Sequence, residues 1–139
     1  MRILIDTNVI ISALLFPESI PAKALARVFE FHRLVLCQNV IDELRIVFSR
    51  KFAHKLRVLD DFLKNSAFEL IYTPSTIDPS YYRSIRDSTD LPILVSAILG
   101  DVDIIISGDK DFTATELDKP LILTPVDFVY TWAENKQDI

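Results

Sequence analysis

The sequence predicts an α/β fold with a mostly parallel sheet. Three observations carry this. Short, strongly apolar runs of strand length alternate with segments of helical periodicity. The strand runs are apolar throughout rather than alternating, as strands covered on both faces are. Half of the 139 residues are hydrophobic, enough for one sizeable core, and the length is that of a single domain spanning 1–139.

Residues 2–5 read as a buried strand that ends at Asp6. Val9–Phe16 is almost wholly apolar and predicts a buried helix, stopped by Pro17. Ser19 and Pro21 open the next helix, with Leu25, Val28, Phe29 and His32 at helical spacing. Leu34–Cys37 is the second strand. In residues 39–50, Val40, Ile41, Leu44, Val47 and Phe48 form one stripe, which sets Glu43 on its border and turns Asp42 away. Leu56, Leu59, Phe62 and Leu63 mark a further helix, and Phe68–Tyr72 a strand. Residues 74–89 are rich in Pro, Ser, Thr and Asp and form a connection. Asp90 precedes Leu91–Leu99, apolar on nearly every side and therefore central, with Gly100 as its C-cap. Ile104–Ile106 and Leu121–Leu123 are the last strands, and Thr124-Pro125-Val126-Asp127 starts a final helix.

The net charge of −5 excludes attraction of nucleic acid by the overall field. The charge is uneven: residues 1–69 carry +2 and residues 70–139 carry −7. One basic segment stands out. Arg45, Arg50, Lys51, Lys55 and Arg57 fall within thirteen residues without an acid, either a solvated helix face or a surface for phosphates. No apolar run is long enough to span a bilayer, the start does not read as a signal peptide, and the lone Cys37 fits a reducing cytoplasm.

Four acids stand at element ends or helix borders: Asp6, Glu43, Asp90 and Asp109. Each has an ordinary alternative. Asp6 and Asp90 suit helix N-caps, Glu43 suits a pair with Arg45 or Lys51, and Asp109 and Asp111 suit a turn. Together they suggest more. In a parallel sheet Asp6 and Asp109, each following a strand, fall at the same edge, where sites form. Two like charges about 4 Å apart cost roughly 4 kcal/mol at an effective dielectric near 20, and a hard divalent cation relieves that cost.

The motifs resemble the PIN domain. They are Asp6-Thr7-Asn8 after the first strand, Glu43 on an early helix, Arg86-Asp87-Ser88-Thr89-Asp90 before an apolar helix, Ser107-Gly108-Asp109-Lys110-Asp111-Phe112 after a buried strand, and Thr124-Pro125-Val126-Asp127-Phe128 near the end. They are most similar to VapC-type toxins of toxin–antitoxin systems. The resemblance implies a three-layer α/β/α fold with strand order about 3-2-1-4-5 and a ribonuclease using one or two Mg2+ or Mn2+ ions. It implies Asp6, Glu43, Asp90 and Asp109 as catalytic metal ligands, Asp111 as a fifth, and Asn8 and Ser107 in support. Asp87 stands near enough to Asp90 to compete with it, and Asp111 competes with Asp109. Arg83, Arg86, Arg45 and Lys51 are candidate RNA contacts. Expected partners are the RNA substrate, an antitoxin protein and a second copy of the chain, the last through apolar residues such as Ile46 and Trp132. A noncatalytic binding module is the alternative. A phospho-acceptor domain resembles the chain less, because such domains carry two adjacent acids where this chain has Asp6-Thr7.

Overall fold

The computed structural model describes residues 1–75, 91–109 and 119–132. Five parallel strands form one sheet in the order β3-β2-β1-β4-β5. They are β1 (Arg2–Ile5), β2 (Arg33–Cys37), β3 (Glu69–Ile71), β4 (Ile104–Ile106) and β5 (Leu121–Leu123). The central strand β1 pairs Ile3 with both Leu34 and Ile104, and Ile5 with Ile106. All of these residues are buried, as strands covered on both faces require. The chain runs outward from β1 to β2 and β3, then returns to β4 and β5. The strand order therefore reverses between β1 and β4.

The helices are α1 (Thr7–Leu15), α2 (Ile20–Phe31), α3 (Gln38–Lys51), α4 (Leu56–Asn65), α5 (Leu91–Leu99) and a short α6 (Pro125–Asp127). Ser19 caps α2, accepting from the Ala22 amide at 3.2 Å, and Pro21 occupies its first turn. The stripe of α3 is buried as Val40, Ile41, Leu44 and Phe48, with the Phe48 ring against Phe52. The core gathers both sheet faces and the inner faces of these helices. Phe48 is the largest fully buried side chain that α3 contributes to it.

Several local features differ from the sequence expectation. Helix α1 is covered on one side rather than all round, with Thr7, Val9, Ile10 and Ala13 buried and Phe16 open to solvent. His32 lies just past α2 in extended backbone, where its ring meets Phe128 and the N-terminal amine. Strand β3 is shorter than Phe68–Tyr72. At the end of α5 the left-handed residue is Asp101, with φ 53°, rather than Gly100. The amide of Val102 donates to Ala97 O and that of Asp101 to Ile98 O, which makes a Schellman closure. Gly100 serves close packing instead: a Cβ there would stand 2.9 Å from Ile71 Cδ1. The final helix is short and widens into a π turn over Phe128–Trp132. The Thr131 hydroxyl donates to the Asp127 carbonyl there, a contact that competes with regular helix bonding.

Among the described residues no single helix is long and apolar enough to cross a membrane.

Candidate metal centre at the carboxyl edge

Asp6 follows β1 and Asp109 follows β4, so both stand where the strand order reverses, the position at which open α/β sheets form sites. The Asp6 amide donates to Ile106 O at 2.9 Å, locking the two strand ends together. Ser107 joins the two acids. Its hydroxyl donates to Asp6 Oδ2 at 2.7 Å and accepts from the Asp109 amide at 3.1 Å. Ser107 is fully buried, so this hydroxyl cannot trade its partners for water.

Asp6 occupies the N-cap position of α1 but makes no side-chain capping bond. Its carboxylate is turned toward Ser107 instead. The residue is only 7% exposed, and burial pushes its pKa up. The Ser107 hydroxyl and the nearby amides of Asn8 and Thr7 favour the charged form, whereas Asp109 raises the pKa further. Glu43 approaches Asp6 from the border of α3. Its pKa is raised by burial and then by the charge of Asp6, with the Thr7 hydroxyl acting the other way. The Thr7 hydroxyl is buried and makes no hydrogen bond of ordinary geometry among the described residues. It stands beside the Glu43 carboxylate, whose charged form it favours, a role that sequence reasoning misses. Only its place in Asp6-Thr7-Asn8 hints at it.

A cleft of about 310 Å³ opens here, lined by Asp6, Asn8, Ser12, Pro21, Gly108 and Asp109 among others. Glu43 is not part of that lining. Asp42, by contrast, is exposed and accepts from Gln38. Among the described residues no three acid, histidine or cysteine side chains form a group able to hold an ion. Asp90, Asp111, Arg83 and Arg86 lie outside the described residues, as does the side chain of Trp132. Cys37 is fully buried and its thiol pKa is pushed up by burial.

The opposite edge of the sheet shows how the chain neutralises acids elsewhere. There Arg2 pairs with Glu69 and its backbone amide donates to Asp103 at 2.9 Å. Arg33 lies 3.9 Å from Glu69, and Lys119 lies 2.9 Å from Asp101 and 3.5 Å from Asp103. A larger cleft of about 460 Å³ lies at that end, lined by Phe29, His32, Arg33 and Glu69 among others, but its acid is already ion-paired. Among the described residues neither Asp6 nor Glu43 has an ion-pair partner. Among the described residues, the carboxyl edge thus sets Asp6 and Glu43 in a partly buried place with no cation against either.

This charge sets the pH dependence of stability. Folded Asp6 and Glu43 hold protons to higher pH than in the unfolded chain, so the native state binds more protons in that window and stability falls as pH rises through it. Glu69 and Asp101 are lowered. Their stabilisation is lost only as pH falls below the ordinary carboxylate range. In chelator, the thermal midpoint is therefore expected to fall as pH rises above the ordinary carboxylate range. A midpoint that rises over this interval would contradict the reading.

The candidate RNA contacts separate on α3. At about 100° per residue, Arg45 falls on the border opposite Glu43, about 160° away. It is exposed, as is Lys51 at the helix end. Arg45 therefore does not belong to the Glu43 side, and Ile46 is half-exposed between the two borders.

The comparisons agree with this architecture. The crystal structure of VapBC2 from Rickettsia felis bound to a promoter DNA fragment contains a chain with TM-score 0.64 and 20% identity, covering 88% of this chain and 97% of that one. FitAcB from Neisseria gonorrhoeae gives TM-score 0.59 and 22% identity, covering 89% and 98%. PAE2754 from Pyrobaculum aerophilum gives 0.59 and 16%, covering 96% and 90%. No curated protein matches the chain in sequence. At these identities the solved structures speak for the fold. The family model described as PIN domain matches residues 2–111, most of the chain, and the protein belongs to the PIN domain family.

Proposed function

We propose that the protein is a divalent-metal-dependent endoribonuclease and the toxin of a toxin–antitoxin pair. The observation that carries the proposal is the buried Ser107 hydroxyl that joins Asp6 to the Asp109 turn at the strand-order reversal, with no cation set against Asp6 or Glu43 among the described residues. The residues fit a hard ion in kind. The donors are all oxygen, they repel one another, and a buried hydroxyl on Thr7 stands beside them. Asp6, Glu43 and Asp109 do not by themselves form a group that holds an ion; in this proposal Asp90 and Asp111, which the family motif adds from outside the described residues, would complete a site for Mg2+ or Mn2+.

When bound, such an ion supplies a lowered pKa for its water and charge stabilisation at phosphorus. The chain's own residues do the rest. Ser107 fixes the Asp6 carboxylate and, through the Asp109 amide, the turn after β4. The Thr7 hydroxyl favours the charged form of Glu43. The cleft beside Asn8 and Ser12 admits the RNA backbone.

The solved relatives from Rickettsia felis and Neisseria gonorrhoeae support the toxin reading: the first is a VapBC2 complex on promoter DNA. An antitoxin for this chain would cover the acidic cleft. A second copy of the chain is also part of the proposal, with Ile46 among its exposed apolar residues.

The test is cleavage of a labelled single-stranded RNA with Mn2+ or Mg2+, with and without chelator. The proposal expects cleavage that chelator abolishes, and cleavage indifferent to chelator would refute it. Ser107→Ala provides a second check. Loss of a hydroxyl that orients a metal-binding acid is expected to lower activity about 10- to 100-fold while the protein stays folded by circular dichroism.

A further inference from the structure

We infer that the RNA strand runs past Asp6 and Glu43 and on along the Glu43 border of α3, with Arg50 gripping a phosphate of the backbone. This rests on the ribonuclease reading above and adds where the substrate runs. Helix α3 begins at the carboxyl end of β2 and runs back along the molecule. Arg50 is seven residues after Glu43, hence about 20° from it around the helix and about 10 Å further along. The two therefore share one border, with half-exposed Val47 between their turns.

Arg50 is exposed, and so are Lys51, Lys55 and Arg57 beyond it. Among the described residues none of these has an ion-pair partner. That is unlike Arg2, Arg33 and Lys119, each of which faces a carboxylate. In a chain of net charge −5, a run of unpaired cations beside an acidic centre is where a polyanion finds attraction. On the ribonuclease reading the acids would hold the ions that act on the scissile phosphate, and Arg50 takes a neighbouring phosphate on the same strand. A single helix border offers a line of contacts, which suits a single strand. In sequence alone the basic segment reads as one block, and the role of Arg50 emerges only when its cations are sorted by helix border.

The experiment measures binding of a short labelled single-stranded RNA to the Asp6→Asn protein, which keeps the substrate intact, across a salt series. Arg50→Ala in that background is expected to weaken binding about fivefold near 0.1 M salt and to make the log–log salt slope shallower by about 0.7, the share of one phosphate contact on a single strand. Arg45→Ala, on the opposite border, is expected to change binding less than Arg50→Ala and to leave the slope unaltered. Thermal melts verify that both variants fold. Equal effects at the two positions, or none at Arg50, in a protein that still cleaves RNA with Mn2+ would overturn the inference and leave the ribonuclease reading standing. Failure of the unsubstituted protein to bind or cleave RNA would overturn both.

Discussion

Asp6→Asn is expected to reduce metal-dependent RNA cleavage by at least about a hundredfold, taking as a lower bound the loss seen when only a supporting partner of a metal ligand is removed. The same substitution is expected to raise the thermal midpoint of the metal-free protein. Both effects come from one cause. The Asp6 carboxylate is buried, its pKa pushed up by desolvation and, further, by the charge of Asp109. An ionised group of this kind costs stability unless it is paired. The substituted amide keeps the shape and still accepts the Ser107 hydroxyl bond, so packing is retained while the repulsion goes. For chains of this size each kcal/mol recovered moves the midpoint by about 2–4 °C. Parallel melts in chelator and in Mn2+ check this. In chelator the variant melts above the unsubstituted protein, and in Mn2+ the order reverses because only the unsubstituted protein gains from the ion. A variant that melts lower in chelator would show that Asp6 is a structural cap rather than a functional acid.

Phe48→Ala is expected to cost about 3–5 kcal/mol, a large part of the roughly 5–15 kcal/mol that holds a domain together. Phe48 is fully buried and packs edge-on to Phe52, with ring centroids 5.8 Å apart. The ring seats the stripe of α3, and the position of Glu43 on the helix border depends on that seating. Urea unfolding should show the midpoint shifted far down, with apparent Mn2+ affinity reduced in parallel. A loss below about 1 kcal/mol would mean that α3 is not held by this stripe.

The sheet is legible in the sequence because its strands are apolar throughout, as with Ile3-Leu4-Ile5 and Ile104-Ile105-Ile106. Strand polarity alone places Asp6 and Asp109 at a common edge, and helical period places Glu43. What local pattern does not carry is pairing across about a hundred residues. The Ser107 bond to Asp6 and the Arg2 bond to Asp103 both span 101 positions, and no periodicity announces them. The left-handed backbone at Asp101 is hidden because the preceding glycine is the residue that usually takes that conformation. Arg50 is legible in principle, seven residues from Glu43, but only once that acid is taken as the reference.

The most direct test of the shared-ion centre is Mn2+ uptake at neutral pH, followed by calorimetry or electron paramagnetic resonance, on the unsubstituted protein and on Asp6→Asn. Saturable uptake of one or two ions by the unsubstituted protein, lost in the variant, is the expected result. Equal uptake by both proteins would contradict it.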